Sequence, residues 1–407
     1  MGTHSHTTYN FDERFEFAGK AKTWSLAAII IGIIALAAGF FVDGSHRLFA
    51  NLLLMGYYFT CVCAAGACFI ALQFAAQAGW SAGLLRIPQA MASVLPIAAI
   101  ILIVILILGL FSHNLYHHWY ADGITDPNSP HYDALIAGKS AFLNVPAFLS
   151  RQIIFLGAYS ILGAAIAKFS YKEDLEGGLN SYKKSFKFSA IFLVIFGFTS
   201  PIWIFDTIMS LEAHWFSTMF GWYNFAAMFV SGLCVITLIT ILLKRAGHLS
   251  WVNENHLHDL GNLIFGFSIF WTYVWFAQFM LIWYANMPEE TVYFYKRWEP
   301  EYKPWFWLSI IVNFVAPVLI LLDRDVKRKE NIMLFVCILL LAGHWLDYYM
   351  MIMPGAVENH RGFGLSEIGA ILSFGGLFTF LVLNNISKHS LAPKNHPFLE
   401  ESLHHQV

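Results

Sequence analysis

Ten long apolar stretches, separated by shorter polar segments, dominate the chain. They lie at residues 24–42, 49–78, 88–111, 147–169, 187–210, 217–243, 259–284, 304–322, 331–353 and 366–386. About 20 apolar helical residues cross the roughly 30 Å hydrocarbon core of a bilayer. A span must be helical, because lipid cannot satisfy free backbone polar groups. The pattern therefore predicts an all-α polytopic membrane protein with ten transmembrane helices.

Composition agrees with this fold class and narrows the functions that we expect. The 407 residues are 58% hydrophobic and only 12% charged, whereas soluble domains carry about 25% charged residues. A net charge of −2 argues against a nucleic-acid partner. The five cysteines lie in apolar runs and no CxxCH motif occurs. We therefore expect no disulfide, no metal site and no covalently attached haem in this chain.

The distribution of basic residues predicts the orientation of the spans. Lys and Arg are concentrated in the N-terminal segment, in the loops after spans 2, 4, 6 and 8, and after span 10, where 17 of the 24 lie. Such an excess marks the cytoplasmic side of a membrane. Both termini are therefore predicted to be cytoplasmic, with an N-terminal segment at residues 1–23 and a tail that follows span 10 within residues 354–407.

Two longer segments fall on the opposite, outer side. Residues 112–146 are polar and rich in histidine, and residues 285–303 are acidic and aromatic. Long loops on one face of a helical bundle often serve as surfaces for partners or ligands. The chain contains no soluble domain, so any redox centre is expected to belong to another chain.

A short pattern recurs in spans 5 and 9, both of which run outward. Span 5 carries Trp203, Asp206 and a methionine at intervals of three, and span 9 carries His344, Asp347 and a methionine at the same intervals. This spacing places each set on one helix face. The offset of four helices predicts two four-helix bundles, spans 2–5 and spans 6–9, with spans 1 and 10 peripheral. The corresponding boundaries are 24–48, 49–210, 211–353 and 354–407.

Asp206, His344 and Asp347 are the candidate residues of a proton path. An ionised acid at the centre of a membrane helix costs roughly 2.5–3.5 kcal/mol, so such a residue normally faces a bundle interior or a wet cavity. Imidazole titrates near neutral pH. Plainer roles remain open: a neutral acid bonded between helices, an acid solvated near a helix end, or a histidine packed against a backbone carbonyl. No haem b is expected, because it needs two axial ligands and only His344 lies well inside a span.

A second group of candidates gathers at the outer ends of the spans. Arg151 begins span 4, where it could neutralise Asp206 or anchor the helix at the interface. The other members of the group are Trp203, Glu212, His214, Tyr284, Glu289, Glu290 and Glu358. Acids, histidine and tyrosine at one end of a bundle would suit a quinol headgroup. They would equally suit a proton exit, or a solvated surface that touches a partner.

Two stretches of the sequence carry a family resemblance. One continues from Asp206 through SLEAHWFSTMF to Tyr223, Ser231 and Gly232, and the other reads WYANMPE at residues 283–289. With ten spans and cytoplasmic termini, they resemble the NrfD/polysulfide-reductase family of membrane anchors. The resemblance is closer still to the second such subunit of bacterial alternative complex III, and it covers essentially the whole chain.

The resemblance implies a multi-pass subunit of a respiratory quinol:cytochrome c (electron acceptor) oxidoreductase in the bacterial inner (cytoplasmic) membrane. Quinol, with menaquinol as one candidate, would be oxidised near the outer face, and its electrons would pass to an iron–sulfur subunit and multihaem cytochrome c subunits. A second NrfD-like membrane subunit, a terminal oxidase and lipids are further implied partners. Asp206 would conduct protons or belong to the quinol site, while Asp347 and His344 would serve the second bundle. This chain itself would hold no haem or iron–sulfur cluster and would not catalyse the reaction alone.

One departure from the family pattern favours a companion role. The family carries several ionisable residues deep in the first bundle, whereas here spans 2 and 3 have none at that depth and span 4 has only Arg151 near its mouth. This points to a subunit that supports the complex and conducts protons. A stand-alone secondary transporter is an alternative, but transporters usually have matched broken helices, and Pro201 in span 5 has no mate in span 9. A purely structural anchor is the third interpretation.

Overall fold

The computed structural model describes residues 9–357 and 362–406. All regular structure in that part of the chain is helical, and ten helices are long and apolar enough to cross a membrane. They are α1 (Gly19–Val42), α2 (Ser45–Ala76), α3 (Arg86–Phe111), α4 (Val145–Glu176), α5 (Asn180–Thr207), α6 (Met219–Arg245), α7 (Glu254–Ala285), α8 (Lys303–Leu321), α9 (Glu330–Ala356) and α10 (Leu365–Ile386). The prediction of an all-α chain with ten membrane-spanning helices is confirmed.

An even number of crossings brings both ends of the chain to one side. We call this side the terminal face, and the opposite side, which carries residues 112–144 and 286–302, the loop face. At the terminal face the two end segments meet, since the Leu391 amide donates to the Glu13 carbonyl oxygen at 3.0 Å. At the loop face, the two long connections contain short helices at Ala134–Lys139 and Pro288–Arg297.

The connection between α4 and α5 is much shorter than the apolar pattern predicts. α4 continues to Glu176 and α5 begins at Asn180, although the predicted spans left residues 170–186 as a polar loop. The chain reverses at two glycines with φ angles of 64° and 68°, a region that glycine enters without steric cost. The longer α4 therefore includes Glu173 and Asp174, two acids that the predicted spans left in the loop.

The ninth membrane helix, α9, is also longer than predicted. α9 runs through Pro354 to Ala356, beyond the predicted end at residue 353. Pro354 does not occupy the position that corresponds to Pro201, because it lies seven residues after Asp347 whereas Pro201 lies five residues before Asp206. Both α5 and α9 nevertheless continue past their prolines as single helices, unlike the discontinuous helices typical of secondary transporters.

α2 and α6 are the most deeply buried helices. α2 packs against α3, α4 and α5 on one side and against α6 on the other, while α6 packs against α7 and α9, and α8 lies between α7 and α9. Gly232 of α6 faces Ala65 of α2 so closely that a side chain at Gly232 would collide with the Ala65 methyl group. The contact between these two helices joins the two halves of the chain.

α1 lies at the edge of the molecule and packs mainly against α10. Glycine and serine residues build this contact: Gly32 meets the backbone of Ser373, and Gly369 meets the backbone of α1 near Leu36. Lipid supplies no hydrophobic driving force for helix association, so close packing of small residues has to replace it. A methyl group at Gly32 would separate the two backbones.

Replacing Gly32 with alanine is therefore expected to destabilise the α1–α10 contact. The added methyl group would meet backbone atoms that cannot move aside, and overpacking of this kind costs about 1–3 kcal/mol. Gly157 in α4 is the matched control, because nothing lies within 4 Å of its added methyl position. Thermal unfolding in detergent should show a lower melting temperature for G32A than for the wild type. The melting temperature of G157A should not fall. Equal melting temperatures would contradict this description of the interface.

Candidate functional site

Asp206 is bound by Arg151 at the loop-face end of α5. Arg151 Nε donates to one carboxylate oxygen at 2.7 Å and Nη2 to the other at 2.9 Å. The Asp206 side chain is fully buried, whereas that of Arg151 is 18% exposed. A two-pronged pair of this kind is both strong and geometrically specific. Of the two roles that the sequence left open for Arg151, the structure places it as the partner of Asp206.

The surroundings of Asp206 fix Arg151 in place. Arg151 Nη2 also donates to the Phe142 carbonyl oxygen at 2.8 Å, and the guanidinium lies 4.0 Å from the centre of the Phe142 ring. Beside Asp206, Gln152 donates to the Thr207 hydroxyl at 2.9 Å, and the Tyr116 hydroxyl donates to the Thr207 carbonyl oxygen at 2.7 Å. These contacts tie the start of α4 and the loop after α3 to the end of α5.

Asp347 occupies a different environment in α9. The Tyr223 hydroxyl from α6 donates to one of its oxygens, and Trp271 Nε1 from α7 donates to the other at 3.0 Å. Both carboxylate oxygens are thus held by neutral donors, and the residue is only 2% exposed. Asp347 is also deeper than Asp206, because α5 ends just after Asp206 while α9 continues for more than two turns beyond Asp347.

His344 is the base nearest to Asp347. Its Nδ1 lies 3.9 Å from an Asp347 carboxylate oxygen, too far for a hydrogen bond. The imidazole is completely buried and neither of its nitrogens has a hydrogen-bond partner. The Trp271 ring packs edge-on against it at 5.7 Å. The imidazole thus lies close to the carboxylate without a hydrogen bond to it.

A small cavity opens beside Asp347. Its polar lining includes Tyr223, Gln278, Arg297, Ser309 and Asp347, and it has room for about one water molecule. The side-chain oxygen of Gln278 is buried without a partner. A polar, water-sized space next to a buried carboxylate is a suitable place for proton exchange.

Arg297 and Glu212 form a second buried ion pair at the loop face. Arg297 Nη2 donates to Glu212 Oε1 at 2.8 Å, and the guanidinium also donates to the carbonyl oxygens of Tyr293 and Met350. It lies 3.3 Å from the centre of the Tyr293 ring. Burial acts to lower the pKa of Arg297, but the Glu212 carboxylate together with Tyr293 and Tyr223 outweighs burial, so this pKa is raised. The pair locks the helix Pro288–Arg297 onto the loop after α5.

Trp203 lies on a row of buried polar aromatic residues between the two acids. Its ring is 5.0 Å from that of Tyr57. The Tyr57 hydroxyl donates to the Asn224 side-chain oxygen, and the Tyr348 hydroxyl donates to the Asn224 carbonyl oxygen, both at 3.3 Å. The row joins α2, α5, α6 and α9.

The remaining predicted outer-face residues are not gathered into one pocket. His214 lies beside Asp133, with 2.6 Å between Nε2 and the carboxylate, and this hydrogen bond lowers the pKa of Asp133. Tyr284 is 85% exposed, Glu289 is exposed and Glu290 is half-buried. Glu358 lies outside the described residues. The predicted set thus divides into buried pairs and an exposed surface.

Sequence reasoning offered Arg151 as a partner of Asp206 but missed the partners of Asp347 and Glu212. Tyr223 belongs to the stretch that carries the family resemblance, yet nothing in the sequence indicated its contact with Asp347. Trp271 was indistinguishable from the other aromatic residues of span 7, and Arg297 lay in an outer loop. Its only sequence signal is the amphipathic helix Pro288–Arg297, which begins at a proline and buries Tyr293 and Arg297 on one side. Within residues 9–357 and 362–406, no three His, Cys, Asp or Glu side chains are arranged to hold a metal ion.

No family model matches this chain, and no curated protein matches it. The resemblance to membrane subunits of alternative complex III therefore depends on the two stretches that follow Asp206 and Ile282, and it stays a prediction.

Replacing Glu212 with glutamine is expected to destabilise the protein strongly. The substitution leaves Arg297 buried without its counter-charge, and removal of one partner of a buried pair costs about 3–5 kcal/mol. Lys296→Gln is the control, because Lys296 is one-third exposed and lies 3.8 Å from the same carboxylate, so its loss should change little. The measurement is unfolding in detergent; an E212Q protein as stable as K296Q would show that the pair is dispensable.

Proposed function

We propose that this chain is a membrane subunit of a quinol-oxidising respiratory complex, and that it conducts protons past Asp347 towards the loop face. The observation that carries the proposal is the carboxylate of Asp347, which is buried within α9. Ionisable residues inside membrane helices usually mark proton or ligand paths. The resemblance of the Asp206 and Trp283 stretches to alternative complex III supplies the reaction class.

The surroundings of the two acids suggest different roles for them. Protonating Asp206 would break its two-pronged pair with Arg151, which favours a structural role at this position. Asp347 has only neutral donors, a nearby imidazole and a water-sized cavity. A proton can therefore be taken up and released at Asp347 without leaving an arginine unpaired. We propose Asp347 as the proton carrier, with His344 as its exchange partner.

The proposed architecture has two four-helix bundles, α2–α5 and α6–α9, with α1 and α10 peripheral. The contacts within each set, and the attachment of α1 mainly to α10, support this grouping. We further propose that the terminal face is cytoplasmic and that the membrane is the bacterial inner membrane. The excess of Lys and Arg in the segments of that face supports the orientation.

The redox centres would lie on partner chains at the loop face. We propose an iron–sulfur subunit, multihaem cytochrome c subunits and a second NrfD-like membrane subunit as these partners, with a terminal oxidase downstream. Oxidation of a quinol, for example menaquinol, releases its protons together with its electrons, so a proton path beside the quinol site is needed. Exposed Tyr284 and Glu289 support a partner surface at this face.

A purely structural anchor is the second candidate, and one observation favours it. Arg151–Asp206 and Arg297–Glu212 are closed ion pairs that account for two of the buried acids without any transport role. The anchor interpretation and the proton-carrier interpretation differ only in the role that they give to Asp347. The stand-alone transporter is less well supported, because α5 and α9 are unbroken helices.

Purification in a mild detergent is expected to yield this chain together with haem c and iron–sulfur proteins. Quinol oxidation by the preparation should reduce the haem, which is followed by its visible absorption. A chain that purifies alone, or with partners that lack redox centres, would exclude the proposed complex. It would leave the transporter interpretation to be tested by substrate uptake into vesicles.

Replacing Asp347 with asparagine is expected to slow proton release from the reconstituted complex by about 100-fold, the lower end of what a positioned general acid–base group contributes. The amide keeps the shape and the hydrogen bond to Trp271 but cannot carry a proton. Glu289→Gln, at an exposed loop-face acid, is the control and should not change the rate. Normal proton-to-electron stoichiometry in D347N would leave only the anchor role for this chain.

A further inference from the structure

Glu173 is a buried acid at the opposite end of the molecule from Asp206. It lies in the last turn of α4, at the terminal face, and is only 1% exposed. Neither of its carboxylate oxygens has a hydrogen-bond partner. An ionised carboxylate that is buried without a partner is too costly to persist, so the group must be neutralised.

The nearest cation is committed to other groups. Arg86, at the start of α3, is ion-paired with Asp174 and also donates to Gln89 at 2.7 Å and to Ser170 at 3.5 Å. The single guanidinium therefore faces two carboxyl groups, Glu173 and Asp174. The cluster has one negative charge more than it can balance if both acids are ionised.

The other groups that face Glu173 bring no positive charge. The Tyr182 hydroxyl from α5 is buried without a partner. Phe74 of α2 and His396 pack against the Tyr182 ring at 5.7 and 5.4 Å. Burial, followed by the charge of Arg86, lowers the pKa of His396 to about 4. Its imidazole is therefore neutral at neutral pH.

Residues 387–406, which we call the C-terminal strap, cover this cluster. Asn395 Nδ2 donates to the carbonyl oxygens of Glu173 and Asp174, both at 3.1 Å. Towards its end the strap is held again, since Ser402 donates to the Trp80 carbonyl oxygen at 2.8 Å and His405 lies 2.7 Å from Asp259. The strap is thus the layer between Glu173 and the water at the terminal face.

We infer that Glu173 is a proton-binding site, held as a neutral carboxylic acid, and that the C-terminal strap controls proton exchange between this site and the terminal face. The inference does not rest on quinol oxidation or on any partner chain. It needs only the full chain, so its failure and the failure of the proposed function are separate results.

Infrared spectroscopy of the purified chain tests the protonation of Glu173. At neutral pH the wild type should show the carbonyl band of a protonated carboxyl group, and Glu173→Gln should lack it. Glu176→Gln is the matched control, because Glu176 lies on the same helix, is exposed and is paired with Lys172; it should keep the band. A wild-type spectrum without a band that depends on Glu173 would overturn the inference. If E173Q does not fold, Glu173→Asp should shift the band.

The same band distinguishes a proton from a metal cation. Exchanging K⁺ for Na⁺ in the buffer should leave it unchanged. Disappearance of the band in Na⁺ would mean that Glu173 is ionised and holds a metal ion, and would overturn the assignment of a proton.

Deuterium exchange of this band tests the strap. Asn395→Ala removes two hydrogen bonds that hold the strap on α4 and should speed the exchange by about tenfold, the factor expected for roughly 1.4 kcal/mol. Lys394→Gln is the control, because Lys394 pairs with exposed Asp12 at the surface. In this variant the band should exchange at the wild-type rate. Equal exchange in N395A and K394Q would show that the strap does not limit access.

Discussion

The absence of water inside a bilayer is the constraint on which this structure depends. A charge that enters the protein between membrane helices has to meet its opposite there. Four arginines at helix ends are each paired with a carboxylate. Each pair joins two different segments of the chain. The carboxylate partners are Glu367 for Arg47, Asp174 for Arg86, Asp206 for Arg151 and Glu212 for Arg297. Polar pairing therefore sets how the ends of the helices meet, while apolar packing fills the middle.

The two acids that look equivalent in the sequence are chemically different in the structure. Asp206 ends its helix and is neutralised by a guanidinium, whereas Asp347 lies deeper and is held by a phenol and an indole. The three-residue spacing that relates them describes the helix face on which each acid lies, but not the residues on the neighbouring helices. The same local motif can thus place an acid in a permanent ion pair in one half of a protein and in contact with neutral donors in the other half.

Sequence reasoning recovered the ten helices because a span of apolar residues is a local property. It failed where the outcome depends on contacts between distant residues. The last turns of α4 look polar enough for a loop, yet they are helical because Glu173 and Asp174 are covered by the C-terminal strap and by Arg86. Arg297 likewise appears as one more charge in an outer loop, although it is buried against Glu212. Asp206, Asp347 and His344 could be found because charged residues are rare in apolar runs, whereas the contacts of Asp347 with Tyr223 and Trp271 could not.

The attachment of α1 has a consequence for biogenesis. Its main partner, α10, is synthesised only after the eight membrane helices that lie between them in the sequence, and the two pack through glycine and serine residues. α1 must therefore remain exposed to lipid until α10 has been made. A chain truncated before α10 would keep α1 in the bilayer but leave it without its packing partner.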